Sequence, residues 1–214
     1  MSLRTATLVL AALGAIAVAS SSSAAVLYDN GGPNGTITGK NIGINNQVAD
    51  SFVLSQAATV TGIDFASWDY PGSSLTDVGY AIDESSALPA ALTEVPVTSS
   101  TYLFTQQPNG YLIDENSFSI APMTLAAGTY YLSLGQALGS GGFWDVNDGP
   151  SSSFGPYGQF PGESETFKVI GTPVSAAPEP GTWALLMLGV GGIGFVFRKA
   201  KKDHGFTFAR AISG

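Results

Sequence analysis

The chain has 214 residues, of which 44% are apolar and only 11% are charged, and its formal net charge at neutral pH is −8. It contains no cysteine, which excludes disulfide bonds, thiolate chemistry and cysteine-based zinc sites. A chain of this length can form one sizeable domain with targeting segments at its ends.

The first 25 residues have the pattern of a signal peptide. Arg4 supplies a positive charge, and an apolar stretch of signal-peptide length runs from Ala6 to Ala19. Small residues follow, so we predict a signal helix and cleavage between Ala25 and Val26. A short uncleaved membrane anchor is the alternative interpretation.

Residues 26–170 are predicted to form the extracellular domain. Apolar residues alternate with polar ones in several short stretches, which are separated by Gly-, Pro- and Asn-rich turns. This pattern predicts an all-β domain, an antiparallel β-sandwich of jelly-roll type. The predicted strands are Gln47 to Leu54, Thr59 to Phe65, Val78 to Asp83, Thr129 to Leu134 and Ser164 to Ile170.

The charge of this domain limits its partners. It contains fourteen acidic residues against Lys40 and Lys168, a net charge of −12. Such a surface repels nucleic acid and anionic lipid. Neutral glycans, cations and other proteins remain as partners.

The chain lacks the residues that most hydrolytic sites need. Its one histidine, His204, lies outside the predicted domain, so a Ser-His-Asp triad or an HExxH zinc site is impossible there. We therefore expect no enzymatic activity. The alternative is a glycosidase with two facing carboxylates, drawn from Asp64, Asp69, Asp114, Glu115, Asp145 and Glu163.

Aromatic residues beside carboxylates indicate a possible glycan site. Sugar rings stack on aromatic faces while carboxylates accept hydrogen bonds from their hydroxyl groups. We expect the two motifs Trp68-Asp69-Tyr70 and Phe143-Trp144-Asp145 to lie in loops or at strand ends. The proposed binding residues are Trp68, Tyr70, Trp144 and Tyr157. The alternative is that the tryptophans belong to the core.

Calcium is the only ion that the sequence suggests. Carboxylate and amide oxygens on turns suit a hard cation, and Asp145, Asn147 and Asp148 are the candidate ligands, with Tyr28 to Gly32 as a second such turn. The alternative is an Asx-turn, in which these side chains satisfy nearby backbone groups. No other cofactor is expected.

The C-terminal region begins with a predicted linker, residues 171–177, followed by the triplet Pro178-Glu179-Pro180. An apolar stretch at 181–197 is predicted to be a transmembrane helix, held in the membrane by Trp183, Leu185, Leu186, Phe195 and Phe197. A basic cluster at 198–202 would remain cytoplasmic and contains Arg198, Lys199, Lys201 and Lys202. A plain C-terminal anchor is the alternative to a processed segment.

This order of triplet, apolar helix and basic cluster closely resembles the PEP-CTERM sorting signal of exported bacterial proteins. The resemblance implies cleavage by an exosortase, after signal peptidase has acted at the other end. It also implies an inner-membrane intermediate and a final place at the cell surface or in the extracellular matrix of a Gram-negative, exopolysaccharide-producing bacterium. Residues 203–214 extend past the basic cluster, where members of this group usually end.

Overall fold

Alternating apolar and polar residues between Ala25 and Pro173 fold almost entirely as β-strands. The structure, a computed structural model, describes residues 23–35, 38–139, 142–174 and 187–189. The chain divides into two units, Met1–Pro173 and Val174–Gly214.

The described residues form fourteen strands. In chain order these are β1 (Ala25–Asp29), β2 (Gly39–Asn41), β3 (Gln47–Leu54), β4 (Ala58–Asp69), β5 (Asp77–Asp83), β6 (Thr93–Pro96), β7 (Ser99–Thr105), β8 (Leu112–Leu125), β9 (Gly128–Leu138), β10 (Phe143–Asn147), β11 (Ser153–Gly155), β12 (Gly158–Phe160), β13 (Ser164–Glu165) and β14 (Phe167–Pro173).

The strands form two antiparallel sheets, one of which curls into a half-barrel. The first has the order β1-β14-β4-β10-β13, with β8 and then β7 added beside β4, and β2 added beside β10. The second has the order β12-β11-β3-β9-β5-β6. The chain crosses between the sheets after β6, where the Val97 N–H donates to Thr76 O and the Thr98 N–H to Ser117 O.

A common apolar core lies between the sheets. Phe52 of β3 meets Phe167 of β14 edge to face, with ring centroids 6.3 Å apart. Tyr80 of β5 contacts Phe118 of β8 at 5.5 Å. Because these rings come from opposite sheets, they hold the two layers together.

Strand β10 pairs with β4 through its first residues and with β13 through its last residues. Trp144 pairs with Ser67 of β4, whereas Val146, two residues later, pairs with Glu165 of β13. The indole of Trp144 is fully buried and donates to Thr166 O at 2.8 Å. At this fork the side chain of Asp145 is buried and accepts a hydrogen bond from the indole of Trp68.

Strand directions define two ends of the domain. At one end of the domain, Ala58 of β4 pairs with Pro173 of β14 and with Leu125 of β8, and the start of β1 lies beside them. We call this the terminus-bearing end. Asp69 pairs with Leu112 at the opposite, far end. Both chain termini of the domain therefore leave at the same end.

The all-β, antiparallel prediction is confirmed, whereas the jelly-roll connectivity stays a prediction. The Gln47 to Leu54 strand has the predicted bounds, and the strands predicted from Thr59, Val78 and Thr129 are longer than expected. The predicted Ser164 to Ile170 strand is divided at Thr166 into β13 and β14. Phe143 to Asp145 form the start of β10, and Trp68 and Asp69 form the end of β4, so both motifs lie at strand ends. Gly171 to Pro173 belong to β14, although they were assigned to the linker. The predicted signal cleavage falls within the exposed start of β1.

Most of the targeting segments lie outside the described residues. These include residues 1–22 of the signal helix, the Pro178-Glu179-Pro180 triplet, the basic cluster and residues 203–214. Of the predicted transmembrane segment, only the helical residues 187–189 are described. Among the residues that are described, no helix is long and apolar enough to span a membrane.

We expect Phe167→Ala to destabilise the domain strongly. The Phe167 side chain contacts the rings of Tyr28, Phe52 and Trp144, so its loss leaves a cavity worth about 3–5 kcal/mol of unfolding free energy. Urea denaturation would measure this. Tyr157→Ala, which removes a fully exposed ring, should change the unfolding free energy by about 0.5 kcal/mol or less. Equal effects would contradict this description of the core.

Candidate functional site

Aromatic residues gather on the outer surface of the first sheet at the far end. Tyr70 follows β4, Tyr111 precedes β8, and their ring centroids are 5.3 Å apart. Tyr111 also contacts Trp68 at 5.5 Å and Phe143 at 6.3 Å. We call Trp68, Tyr70, Tyr111 and Phe143 the far-end aromatic group.

This group has an exposed edge and a buried base. Tyr70 is 51% exposed, whereas Trp68 is 5% exposed and packs with Ala66 and Ile113. The side chains of Tyr70 and Tyr111 are hydrogen-bonded, which raises the pKa of the Tyr111 hydroxyl. The two phenol rings are therefore held together at the surface.

A cleft of about 330 Å³ adjoins Tyr70. Its other walls include Asn41, Ile44, Asn46 and Leu138. Asn41 Oδ1 accepts a bond from the Gly43 N–H, and Asn46 Nδ2 donates to Ile44 O. The cleft thus combines an aromatic wall with ordered amide side chains.

The four predicted glycan residues do not lie together. Trp68 and Tyr70 belong to the far-end aromatic group, but Trp144 is fully buried in the core, so its ring cannot face a sugar. Tyr157 is fully exposed, in the turn between β11 and β12 of the other sheet. Tyr111 was missed because it stands alone in sequence, and only the fold brings it beside Tyr70.

The predicted calcium ligands point to different partners. Asp145 Oδ1 accepts a 2.5 Å bond from the indole of Trp68, while Asp148 is exposed and pairs with Asn34. Asn147 Oδ1 accepts from the Gly149 N–H, an Asx-turn contact, and its Nδ2 donates to Asn30 O. In the described part of the chain, no group of three His, Asp or Glu residues is placed to hold a metal ion. Calcium binding stays a prediction.

Four of the six candidate catalytic carboxylates, Asp69, Glu115, Asp145 and Glu163, have structural partners. Lys168 forms an ion pair with Glu115 at 2.7 Å, and Lys40 forms one with Glu163. Asp69 accepts from Ser67 on the inner face of the first sheet. Burial raises the pKa of Asp145 to about 6, against the opposing effect of its bonds from Trp68 and Thr166.

A second cluster, which the sequence analysis missed, links the two sheets. Asp50 of β3 and Glu165 of β13 both point between the layers, and neither is exposed to solvent. Asp50 Oδ2 accepts a 2.6 Å bond from the Glu165 N–H, and Ser153 donates to Glu165 Oε1 at 2.8 Å. We call Asp50, Glu165, Asn30, Ser151 and Ser164 the inter-sheet polar cluster.

Asn30 is the centre of this cluster. Its fully buried Nδ2 lies 2.6 Å from the hydroxyl oxygens of both Ser151 and Ser164 and 2.5 Å from Glu165 O. Sequence alone offers one signal for this cluster, since Asp50 occupies an inward position between Val48 and Phe52 in an alternating strand.

The two carboxyl groups share a proton. Burial, followed by the charge of Asp50, raises the pKa of Glu165 from an ordinary 4.5 to about 10. Burial also raises the pKa of Asp50. A protonated Glu165 donates to Asp50, which satisfies oxygens that two charged carboxylates would leave unpaired inside the protein.

We expect the domain to lose stability as the pH rises. Between pH 4.5 and about 10 the folded protein holds a proton on Glu165 that the unfolded chain has released, so the free energy of unfolding falls across that window. Glu165→Gln keeps a neutral hydrogen-bond donor at this position. The melting temperature of this variant, measured by thermal denaturation, should therefore fall less steeply with pH. Glu94→Gln, at an exposed position on β6, should retain the wild-type slope. A wild-type melting temperature that rises across this window would refute the shared proton.

Comparison with known proteins concerns the C-terminal segment. Among curated proteins none matches the chain. Among known protein families, residues 176–202 match the PEP-CTERM protein-sorting motif. The matched residues contain the triplet, the apolar stretch and the basic cluster in the order described above. The chain therefore carries a PEP-CTERM protein-sorting motif, which supports its being an exported substrate of an exosortase.

Proposed function

We propose that this protein is a surface or matrix component whose domain binds a neutral extracellular polysaccharide at its far end. The sorting motif supports export and a cell-surface or extracellular destination. The observation that carries the binding proposal is the far-end aromatic group, where the exposed Tyr70, packed against the partly buried Tyr111, adjoins a cleft walled by asparagines.

The chemistry of this surface suits sugar rings. The faces of Tyr70 and Tyr111 offer apolar area for the C–H groups of a pyranose, and amide groups such as those of Asn41 and Asn46 can bond its hydroxyl groups. The net charge of −12 disfavours anionic polymers at the same surface. A neutral glycan is therefore the class of ligand that fits best.

The position of this group also suits a displayed domain. Strand β14 ends at Pro173 on the terminus-bearing end, and the chain continues from there toward the sorting motif. Tyr70 lies at the opposite end of β4. The far-end aromatic group therefore lies at the end of the domain opposite the point where the chain leaves it.

We propose binding rather than catalysis as the role of the domain. Support comes from the partners of the candidate carboxylates, since Glu115 and Glu163 are neutralised by lysines and Asp145 is committed to Trp68 and Thr166. A glycosidase requires two carboxyl groups that face a common substrate across about 5 to 10 Å.

We expect Tyr70→Ala and Tyr111→Ala each to weaken binding of a neutral polysaccharide by about tenfold, the effect of losing about 1.4 kcal/mol of stacking. Tryptophan fluorescence is a suitable readout because the indole of Trp68 contacts Tyr111. Tyr157→Ala is the matched control, since it removes an exposed tyrosine from the other sheet. If binding survives both far-end substitutions but is lost with Tyr157→Ala, the binding site is not at the far end.

Replacement of Pro178 and Pro180 by Ala should leave the precursor unprocessed and membrane-bound. Proline disfavours helix at its own position and at the residue before it, so alanines would remove the restriction that the sequence places on the triplet. Cell fractionation with intact-mass analysis would measure this, with Pro156→Ala, in an exposed turn of the domain, as control. A normal mature mass in the double variant would argue against recognition of the triplet.

A further inference from the structure

The inter-sheet polar cluster brings an amide and a hydroxyl group into reacting distance inside the protein. Ser151 Oγ lies 2.6 Å from Asn30 Nδ2. Because the amide C–N bond is about 1.33 Å long, the same oxygen lies within about 4 Å of the amide carbon, Asn30 Cγ. Reacting atoms in productive geometries are about 3 to 3.5 Å apart, so only a small adjustment separates this arrangement from attack.

The groups around these two atoms have the chemistry that acyl transfer needs. The Ser151 hydroxyl interacts with the Asp50 carboxylate, so a nucleophile lies beside a base. Glu165 is hydrogen-bonded to Asp50 and orients it. The Tyr28 hydroxyl donates to Asn30 Oδ1 at 2.9 Å, where negative charge would develop during attack.

Burial keeps Tyr28 protonated and shields the Asn30 amide and the carboxyl groups from solvent. Desolvation, followed by the charge of Asp50, raises the pKa of Tyr28 to about 12, so its hydroxyl keeps the proton that it donates. Asn30, Asp50 and Glu165 have no solvent exposure, and Ser164 is only 1% exposed. The amide of Asn30 and the two carboxyl groups are therefore shielded from solvent, whereas Ser151 is partly exposed.

We propose that Ser151 and Asn30 react to form an intramolecular ester that locks the first strand of the domain to the loop before β11. Ser151 Oγ attacks Asn30 Cγ while Asp50 accepts the hydroxyl proton. The tetrahedral oxygen is held by Tyr28, and Asp50 passes the proton to Asn30 Nδ2. The C–N bond then breaks, one ammonia leaves, and the new C–O bond joins the two side chains without any oxidant or cofactor.

Such a bond would have a clear structural consequence. Asn30 directly follows the edge strand β1, and Ser151 is 121 positions later in the chain. A cross-link across that distance restricts the unfolded chain in the way that a long-range disulfide does. This chain contains no cysteine to make a disulfide.

The spacing of the lysines offers a direct test on the unmodified full-length protein. Trypsin can cut after Lys40 and Lys168, which separates the peptide that contains Asn30 from the peptide 41–168 that contains Ser151. We expect the two peptides of the denatured protein to remain joined, with a combined mass lower by one ammonia. Mild alkaline hydrolysis, which cleaves an ester but leaves the peptide bonds intact, should release them. Separate peptides with unchanged masses would overturn the proposal. This measurement is made on the wild-type protein and needs no variant.

Variants and fragmentation then identify the bond. Ser151→Ala should abolish the linkage, whereas Ser152→Ala, the neighbouring serine, should retain it. Loss of ammonia confined to an unlinked peptide with Asn30-Gly31 would indicate a succinimide and overturn the proposal. A linkage that maps to Ser164, or one that persists in Ser151→Ala, would overturn the assignment of the nucleophile.

Discussion

The shared proton between Asp50 and Glu165 is the constraint around which the two sheets are assembled. Two carboxyl groups face each other between apolar layers, and a medium of low polarity cannot hold both as anions. One of them stays protonated and donates to the other. Because Asp50 belongs to the second sheet and Glu165 to the first, this bond aligns the layers, and Asn30 extends it to the first strand.

The same strand pairings that build this cluster also form the far-end surface. Strand β10 enters between β4 and β13, which buries Trp144 and directs Asp145 onto the indole of Trp68. Trp68 is thereby fixed beneath Tyr111, and Tyr111 supports the exposed Tyr70. The surface aromatic residues are ordered because the sheet below them is ordered.

The local chain pattern was sufficient to predict some parts of the molecule. Strand β3 has its predicted bounds because Val48, Phe52 and Leu54 alternate regularly with less apolar positions. Strand β8 was not predicted because polar residues such as Asp114 and Asn116 occupy inward positions near its start and obscure the period of two. Of the proposed glycan residues, the exposed Tyr70 and the buried Trp68 both contact Tyr111, whereas Trp144 is a core tryptophan, as in the alternative interpretation.

The sequence by itself determined the destination of this protein and its fold class. Both follow from contiguous or periodic patterns: a triplet, an apolar stretch and a basic cluster in order, and apolar residues at every second position. Only the tertiary structure decided which side chains meet, since Tyr70 and Tyr111, or Asn30 and Ser151, are distant in the chain and adjoin through strand pairing and the crossing of two layers. Distant pairs leave no local period, so sequence patterns cannot reveal them.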